Sequence, residues 1–479
     1  EFIDLMHDKQ KIKNGFLWSA IDNLGTQAIA LVISLTLANI LGPNIFGLVA
    51  MLTIFMAISN VFVNSGFNSA LIRKTDRNET DFATTFYFSL AVSIVCYVLL
   101  FFCAPYIAQF YQQPELTQLT KAIGLTIIIN TFATIQRVKL TVNLDFKTQT
   151  KCNLIALTVS GTLALILAYL GYGVWTLVAQ QLTLALVNVL MLNLLAPWWP
   201  KQKFSNKSFW ELFGFGSKLL LSGLIAAIYN NIYGLIIGKQ FNSIQLGLFN
   251  QANNLSKLPA TTLTGIIQKV TYPILSSMQH DIKKLEATYL VTLQFSAFII
   301  FPLMFGLCII AKPLVDVLLG PEWQDTAEFV SIITMALVLY PIHAINLNML
   351  QVKGRSDLFL KLEVIKKINL TIMLLITVPI GIKAMCFGMV VTSYLALFIN
   401  TYYTGKISSL KASKQLSALI PIGLVSAFSA FMGYLVGINI SSNILQIATM
   451  LVVALSTYVG IMLVVQKPLI ITFKNTLKV

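Results

Sequence analysis

The chain has 479 residues, of which 57% are hydrophobic and only 11% are charged. This composition excludes a soluble globular protein, and long apolar runs at regular spacing predict a polytopic helical membrane protein. The net charge of +15 would suit either nucleic acid or an anionic membrane surface, and the distribution of the basic residues decides between them.

Fourteen segments have the length and composition of membrane-spanning helices, so we predict an all-α fold of about fourteen transmembrane helices. The predicted spans cover residues 16–41, 45–66, 82–108, 118–136, 150–170, 173–195, 210–237, 246–275, 288–311, 326–350, 358–381, 384–403, 416–437 and 443–465. Span eight, 246–275, is unusually polar, and whether it crosses the membrane sets the topology of all later spans.

Basic residues concentrate in alternate loops. Three lysines at positions 9–13 precede the first span and place the N-terminus in the cytoplasm, and Arg137 and Lys139 fall in the cytoplasmic loop after span four. The outer loops hold Lys121, Lys239, Lys312 and Lys383. The bias continues past 246–275, so this segment also crosses and both termini are cytoplasmic. The excess charge therefore faces anionic headgroups, and no nucleic-acid partner is predicted.

The first span carries polar side chains on one face of its first half. These are Ser19, Asp22, Asn23, Thr26 and Gln27. A carboxylate inside a membrane span costs roughly 3 kcal/mol, so Asp22 is expected to face protein or water instead of lipid. We predict that this helix forms one wall of a polar cavity. The alternative is that Asp22 lies near the cytoplasmic interface and is solvated there.

The chain also contains an internal repeat in which position i matches position i+200. Segment 41–48 aligns with 241–248, and the two copies share a Gly-Leu pair at their ends. An even number of spans separates the copies, which predicts two parallel lobes with a substrate path between them. The predicted N-terminal lobe is 1–200 (spans 1–6), the C-terminal lobe is 201–403 (spans 7–12), and 404–479 adds two helices.

Spans two, seven and eight carry polar stripes like that of span one. The candidate cavity residues are Asn60 and Asn64 on span two, Lys218 and Asn230 on span seven, and Asn250, Asn254, Lys257, Gln268 and Lys269 on span eight. Buried ammonium groups need water or an anion, so we predict a hydrated cleft lined by these residues together with Asp22, Asn23 and Gln27. The alternatives are interhelical hydrogen bonds that only hold the bundle together, and lysines that extend to the nearer interface.

No motif indicates catalysis. The sequence has no HExxH, no Gly-rich phosphate loop and no Cys/His metal spacing, which favours a transporter over an enzyme and predicts neither metal nor cofactor. The cysteines are expected to be small core residues without disulfides; they are Cys96, Cys103, Cys152, Cys308 and Cys386.

Several segments stand out as a set: GFLWSAIDNLGTQ (15–27), ILGPNIFGLVAM (40–51), NSGFNSALIRK (64–74), GYGVW (171–175), FGFGSKLLLSG (213–223), VTYPILS (270–276) and GRSDLFLKLEVIKK (354–367). In order and spacing they resemble the Wzx-type lipopolysaccharide and exopolysaccharide flippases of the multidrug/oligosaccharidyl-lipid/polysaccharide (MOP) exporter superfamily.

This resemblance implies two pseudo-symmetric lobes around a central cationic cavity, working by alternating access. It implies translocation of polyprenyl (undecaprenyl) pyrophosphate-linked oligosaccharides from the cytoplasmic to the outer leaflet of a bacterial inner membrane. The family's cavities are typically rich in arginine, whereas the predicted intramembrane cations here are Lys218, Lys257 and Lys269. Cationic side chains would bind the pyrophosphate, and the amide side chains of the polar stripes would hydrogen-bond to the sugars.

Two other functions stay open at the level of sequence. A multidrug exporter of the same superfamily would use the same architecture, with H+ or Na+ as coupling ion and Asp22 as the coupling carboxylate. A polytopic glycosyltransferase or O-antigen polymerase is a different class, and the lack of a large outer loop argues against it.

Overall fold

The computed structural model describes the backbone of residues 2–64 and 66–465, and within them the side chains of Trp18, 24–64, 66–355 and 357–465. Every regular element in this part of the chain is a helix, which confirms the predicted all-α class. The chain divides into two compact units, Glu1–Gly247 and Leu248–Val479. The lobe limits expected at residues 200 and 403 stay predictions.

The helices of the first unit are α1 (Phe2–Asn64), α2 (Phe67–Arg73), α3 (Glu79–Tyr111), α4 (Leu116–Thr131), α5 (Thr134–Val142), α6 (Phe146–Tyr169), α7 (Trp175–Leu195) and α8 (Asn206–Gln240). Helix α9 (Ser243–Ser277) contains the boundary between the units. The second unit continues with α10 (Ile282–Leu318), a 3-10 turn (Pro321–Trp323), α11 (Gln324–Leu337), α12 (Tyr340–Val352), α13 (Ser356–Thr377), α14 (Ile382–Ile407), α15 (Ala412–Gly437) and α16 (Asn443–Val465).

Ten helical stretches of the described residues are long and apolar enough to cross a membrane, or eleven if α4 and α5 count as one bent span. The difference from the fourteen predicted spans has two sources. The single stretch Leu24–Arg73 contains the first two predicted spans. The predicted spans eight and eleven correspond to α9 and α13, which are helical over 35 and 22 residues but too polar to qualify by composition.

Helix α1 is broken at Gly42, where the chain passes from the first predicted span to the second. Gly42 has φ 75° and ψ 170°, a conformation that favours glycine, and Pro43 follows it without a backbone N–H to donate. The Gly42-Pro43 pair therefore explains the break, and the break divides the helical stretch into the two predicted spans.

The i+200 repeat packs against itself within the first unit. A Cβ added at Gly47 would lie 1.7 Å from the carbonyl oxygen of Ser243, and one added at Gly247 would lie 2.0 Å from that of Pro43. The hydroxyl of Ser243 also donates a hydrogen bond to Asn44. Each copy thus contacts the other reciprocally, and glycine is required at both positions because only hydrogen fits against the opposing backbone.

Ion pairs and aromatic rings tie the ends of several helices in the first unit. Lys74 lies 3.0 Å from carboxylate oxygens of both Asp81 and Glu211. Although burial opposes its charged form, hydrogen bonds to Glu211 and Asp81 raise the pKa of Lys74 above its ordinary value. The indole Nε1 of Trp198 donates to Glu79 at 2.9 Å. These contacts link the α2–α3 connection to the start of α8 and to the segment before it.

Candidate functional site

A cavity of about 490 Å³ lies within the first unit, among α1, α4, α5, α6 and α7. Its lining residues are Thr26, Met56, Asn60, Thr126, Asn130, Arg137, Asn153, Leu157, Gln181, Leu184, Ala185 and Asn188. The volume is in the range of ligand-binding pockets, about 300–1,000 Å³. Among the described residues, the lining combines five amide side chains, two hydroxyls and one guanidinium, without a carboxylate.

A bend between α4 and α5 directs Arg137 into this cavity. The two helices are bent by 44° at a short break. The hydroxyl of Thr131 donates to the Ile127 carbonyl at 2.9 Å, a local bond of the kind that often bends membrane helices. Just before Arg137, the Gln136 amide donates to Asn193 Oδ1 at 2.8 Å and so fixes α5 against α7.

A chain of hydrogen bonds holds the guanidinium in place. Arg137 Nη2 donates to Asn188 Oδ1 at 2.7 Å, and Asn188 Nδ2 donates to Asn153 Oδ1 at 2.9 Å. This chain joins α5, α7 and α6. The Asn188 side chain is buried, whereas Arg137 and Asn153 are half-buried and border the open volume. The arrangement presents a fixed cation to any ligand that enters.

The structure brings part of the predicted stripe of the first two spans to this cavity. Asn60 lines it, as does Thr26, which lies beside the half-buried Gln27. Asn64 instead accepts a hydrogen bond from Asn68 on the next turn, at 3.0 Å. The side chains of Asp22 and Asn23 lie outside the described residues, so their predicted roles stay predictions.

The other predicted site residues do not line this cavity. Lys218 and Asn230 lie exposed on α8. On α9, Asn250 is half-buried, and the exposed positions are Asn254, Lys257 and Lys269. Gln268 Nε2 donates to Asn348 Oδ1 at 3.3 Å within the second unit. A role for these residues in binding remains a prediction.

Sequence reasoning missed most of the cavity, including its cation. We predicted a loop at Arg137 because the apolar run of span four ends at residue 136, whereas helix α5 continues to Val142. One available signal was the spacing of Gln181 and Asn188, which lie seven residues apart and therefore share one face of α7. Asn130 and Asn153 lie toward the polar ends of their predicted spans, and no local pattern groups them with Arg137.

The second unit contains a buried polar network. The Tyr289 hydroxyl contacts Gln415 Oε1 at 2.9 Å and also hydrogen-bonds to Asn346. His343 lies 3.2 Å from the Ser393 hydroxyl through Nε2 and 3.2 Å from the Asn400 amide through Nδ1. These side chains join α10, α12, α14 and α15. Among the described residues, no group of three or more His, Cys, Asp or Glu could hold a metal ion.

Comparison with known proteins gives consistent matches. Residues 36–328 match the family described as polysaccharide biosynthesis protein. The chain is 23% identical over 351 residues to the teichuronic acid biosynthesis protein TuaB of Bacillus subtilis, covering 73% of each chain. It is 25% identical over 306 residues to the succinoglycan biosynthesis transport protein ExoT of Rhizobium meliloti, covering 64% of this chain and 62% of that one. It is 22% identical over 364 residues to the lipopolysaccharide biosynthesis protein WzxC of Escherichia coli, covering 75% and 73%.

Solved structures share the fold. The inward closed conformation of the lipid II flippase MurJ superposes with a TM-score of 0.78, at 14% identity, over 95% of this chain and 100% of that one. An inward-facing MATE family transporter of the MOP superfamily superposes with a TM-score of 0.61, at 17% identity, over 85% and 98%. At these identities the likeness establishes the architecture.

Proposed function

The chain belongs to the polysaccharide biosynthesis protein family and has the fold of the MOP superfamily, and we therefore propose that it is a lipid-linked oligosaccharide flippase. The predicted family membership is thereby confirmed. The relatives are named as biosynthesis or transport proteins and the structural neighbours as a flippase and a transporter, in agreement with a transporter instead of an enzyme. The proposed substrate is a polyprenyl-pyrophosphate-linked oligosaccharide for surface polysaccharide synthesis.

The observation that carries this proposal is the polar cavity inside a membrane-embedded helical unit. Amide groups both donate and accept hydrogen bonds, which is the capacity that sugar hydroxyls require. The guanidinium supplies a fixed positive charge for an anionic group. A cavity of this composition costs free energy in a bilayer, and a polar cargo that must cross the apolar core gives a reason for it.

The finer mechanism is also a proposal. We expect both termini to be cytoplasmic, because the positive-inside bias extends along the whole chain. We expect transport from the cytoplasmic to the outer leaflet by alternating access, with the remaining candidate residues contacting substrate and Asp22 coupling transport to H+ or Na+. The alternative of a cation-coupled multidrug exporter of the same superfamily has less support from this cavity, because the described part of its lining contains an arginine and no carboxylate that could couple transport to a cation.

A leaflet-exchange assay tests the proposed function. Purified protein is reconstituted into vesicles that contain a fluorescent polyprenyl-pyrophosphate-linked oligosaccharide, and a membrane-impermeant quencher is then added. Protein-free vesicles should lose only the outer-leaflet signal, whereas vesicles with the protein should lose nearly all of it. A parallel assay with a labelled phospholipid controls for leakage and general scrambling. Equal quenching of the oligosaccharide lipid with and without protein would refute the proposal.

A further inference from the structure

A second cavity of the first unit, about 440 Å³ in volume, shares no described lining residue with the cavity of Arg137. It lies where three connections of the chain meet: the break of α1 at Gly42, the connection from α3 to α4, and the connection from α6 to α7. With both termini in the cytoplasm, as proposed above, this end of the unit faces the outside. The volume again falls in the range of ligand-binding pockets, about 300–1,000 Å³.

Two segments that carry the family resemblance converge on this cavity, and the cavity of Arg137 uses neither of them. Segments 40–51 and 171–175 together supply five of its lining residues: Asn44, Ile45, Leu48, Val174 and Trp175. Gly171 and Gly173 have φ of 79° and 55°, although a Cβ at either position would have room. These glycines are therefore needed for the backbone of the turn that positions Trp175, and not for space.

The lining places a flat aromatic side chain beside polar groups. Trp175 is 43% exposed, and Asn44, Glu115 and Gln118 are exposed as well, so their polar atoms can meet a ligand. Glu115 stands at the start of α4, but its side chain does not cap that helix. An indole ring has a broad apolar face that suits the C–H face of a pyranose ring, and amide and carboxylate groups suit its hydroxyls.

The charge of the lining limits the ligand further. Glu115 is the one charged residue in the described part of the lining. Its carboxylate repels a phosphate or an acidic sugar, whereas it accepts charge-assisted hydrogen bonds from hydroxyl groups. A purely apolar ligand would leave Glu115 and the two amides without partners. The lining therefore matches a neutral sugar.

We propose that this cavity is a binding subsite for a neutral sugar residue, which packs on Trp175 and hydrogen-bonds to Glu115, Gln118 and Asn44. The proposal rests on the proposed function in one respect, since the sugar would arrive as part of the lipid-linked oligosaccharide. Asn44 also accepts the hydroxyl of Ser243, so a sugar bound here touches a residue that joins the two copies of the internal repeat.

Direct binding to the full-length protein, purified in a detergent without a sugar headgroup, tests the proposal. The probes are glucose, N-acetylglucosamine and glucuronate, each followed by ligand-observed NMR. At least one neutral sugar should bind, and more tightly than glucuronate. Trp175→Ala should weaken neutral-sugar binding about three- to tenfold, because the aromatic contact is lost. Trp175→Phe keeps an aromatic face and should retain much of the affinity.

Glu115→Gln provides a readout that a merely damaged pocket would not give. It replaces a charge-assisted hydrogen bond by a neutral one and should weaken neutral-sugar binding about fivefold. It also removes the repulsion, so glucuronate should bind more tightly to this variant than to the parent protein. A decrease in glucuronate binding in Glu115→Gln would contradict the assigned role of the carboxylate and overturn the proposal.

A matched control replaces an exposed tryptophan elsewhere in the unit. Trp210 on α8 is 64% exposed and lines neither cavity, so Trp210→Ala should leave sugar binding unchanged. Monodisperse elution of every variant shows that binding losses do not reflect unfolding. The proposal is overturned if the parent binds neither neutral sugar, if it binds glucuronate as tightly as the neutral sugars, or if Trp175→Ala binds them like the parent.

The leaflet-exchange assay separates this proposal from the proposed function. With a lipid-linked oligosaccharide of neutral sugars, Trp175→Ala should slow exchange relative to the parent and to Trp210→Ala. If the parent moves this lipid and Trp175→Ala binds sugars and moves the lipid like the parent, the subsite fails and the flippase function stands. If the parent moves no oligosaccharide lipid, the flippase function fails, and the sugar-binding measurements still decide the subsite.

Discussion

The two units of the chain use the same kinds of polar side chain in opposite ways. In the first unit, a hydrogen-bond chain through Asn188 and Asn153 holds Arg137 in place at the edge of an open cavity. In the second unit, Tyr289, Asn346 and Gln415 are fully buried, and the Tyr289 hydroxyl contacts both amide side chains. A polar stripe on a membrane helix therefore does not by itself indicate a cavity. What decides is whether the neighbouring helices supply complementary partners.

The cost of removing a side chain should follow this difference. A group in a closed network leaves its partners buried and unsatisfied when it is removed, and water cannot replace it. A group that lines an open cavity leaves its partners within reach of water. Stability measurements can therefore test whether the second unit is a structural network and the first a binding site.

The largest expected effect is that of Tyr289→Phe. It removes one hydroxyl, leaves Asn346 and Gln415 without that contact, and should lower the free energy of unfolding by roughly 2–3 kcal/mol. The measurement is thermal or denaturant unfolding of the purified protein in detergent. Asn60→Ala, in the cavity lining, is the control and should cost about 0.5 kcal/mol or less. Equal losses for the two variants would remove the distinction between the units.

The sequence predicted the architecture well because the relevant signals are local. Apolar length identifies most helices, and alternating loop charge predicts a crossing even for the polar segment that forms α9. The Gly42-Pro43 pair similarly explains why one helical stretch contains two predicted spans. The internal repeat was visible as a sparse match, and the structure places its two copies in reciprocal contact through Gly47 and Gly247.

The candidate site was predicted less well because its residues come together only through tertiary packing. Arg137, Asn153 and Asn188 lie on three different helices, and no spacing within one segment groups them. The charge of Arg137 also ended the apolar run of predicted span four, although helix α5 continues to Val142. In the second unit, the stripe on α9 includes Gln268, whose hydrogen-bond partner Asn348 lies 80 residues away in the sequence.

Lys257 is a polar residue of the second unit that does not belong to the closed network. It is exposed on α9, twelve residues before Lys269, which separates the two by about 18 Å of helix. We predict that the two lysines contact the pyrophosphate at different depths and stages of transport. Lys257→Ala should then weaken binding of polyprenyl pyrophosphate by roughly 1.5–3 kcal/mol, since a charge-assisted hydrogen bond is lost.

The same binding assay with unphosphorylated polyprenol is the control for Lys257. Lys257→Ala should spare the polyprenol, and Lys257→Arg should retain much of the affinity for the pyrophosphate lipid. If parent protein and Lys257→Ala bind the pyrophosphate lipid equally, the lysine extends to the membrane interface and has no contact with substrate. The exposed face of α9 would then carry no binding role at this position.

The smallest effect is expected at Gln268, for which the sequence and the structure suggest different roles. The sequence assigns Gln268 to a substrate-binding cleft, whereas the structure shows its amide donating to Asn348 Oδ1 at 3.3 Å. Interhelical hydrogen bonds in membrane proteins contribute about 0.6 kcal/mol on average, and this one is long. Gln268→Met keeps the length of the side chain, so it should cost about that amount of unfolding free energy and leave leaflet exchange unchanged. Thr264→Val is the matched control on the same helix, because the Thr264 hydroxyl bonds to its own helix at Ala260. Should Gln268→Met instead abolish exchange at unchanged stability, Gln268 would contact substrate, and the second unit would no longer differ from the first in how it uses its amides.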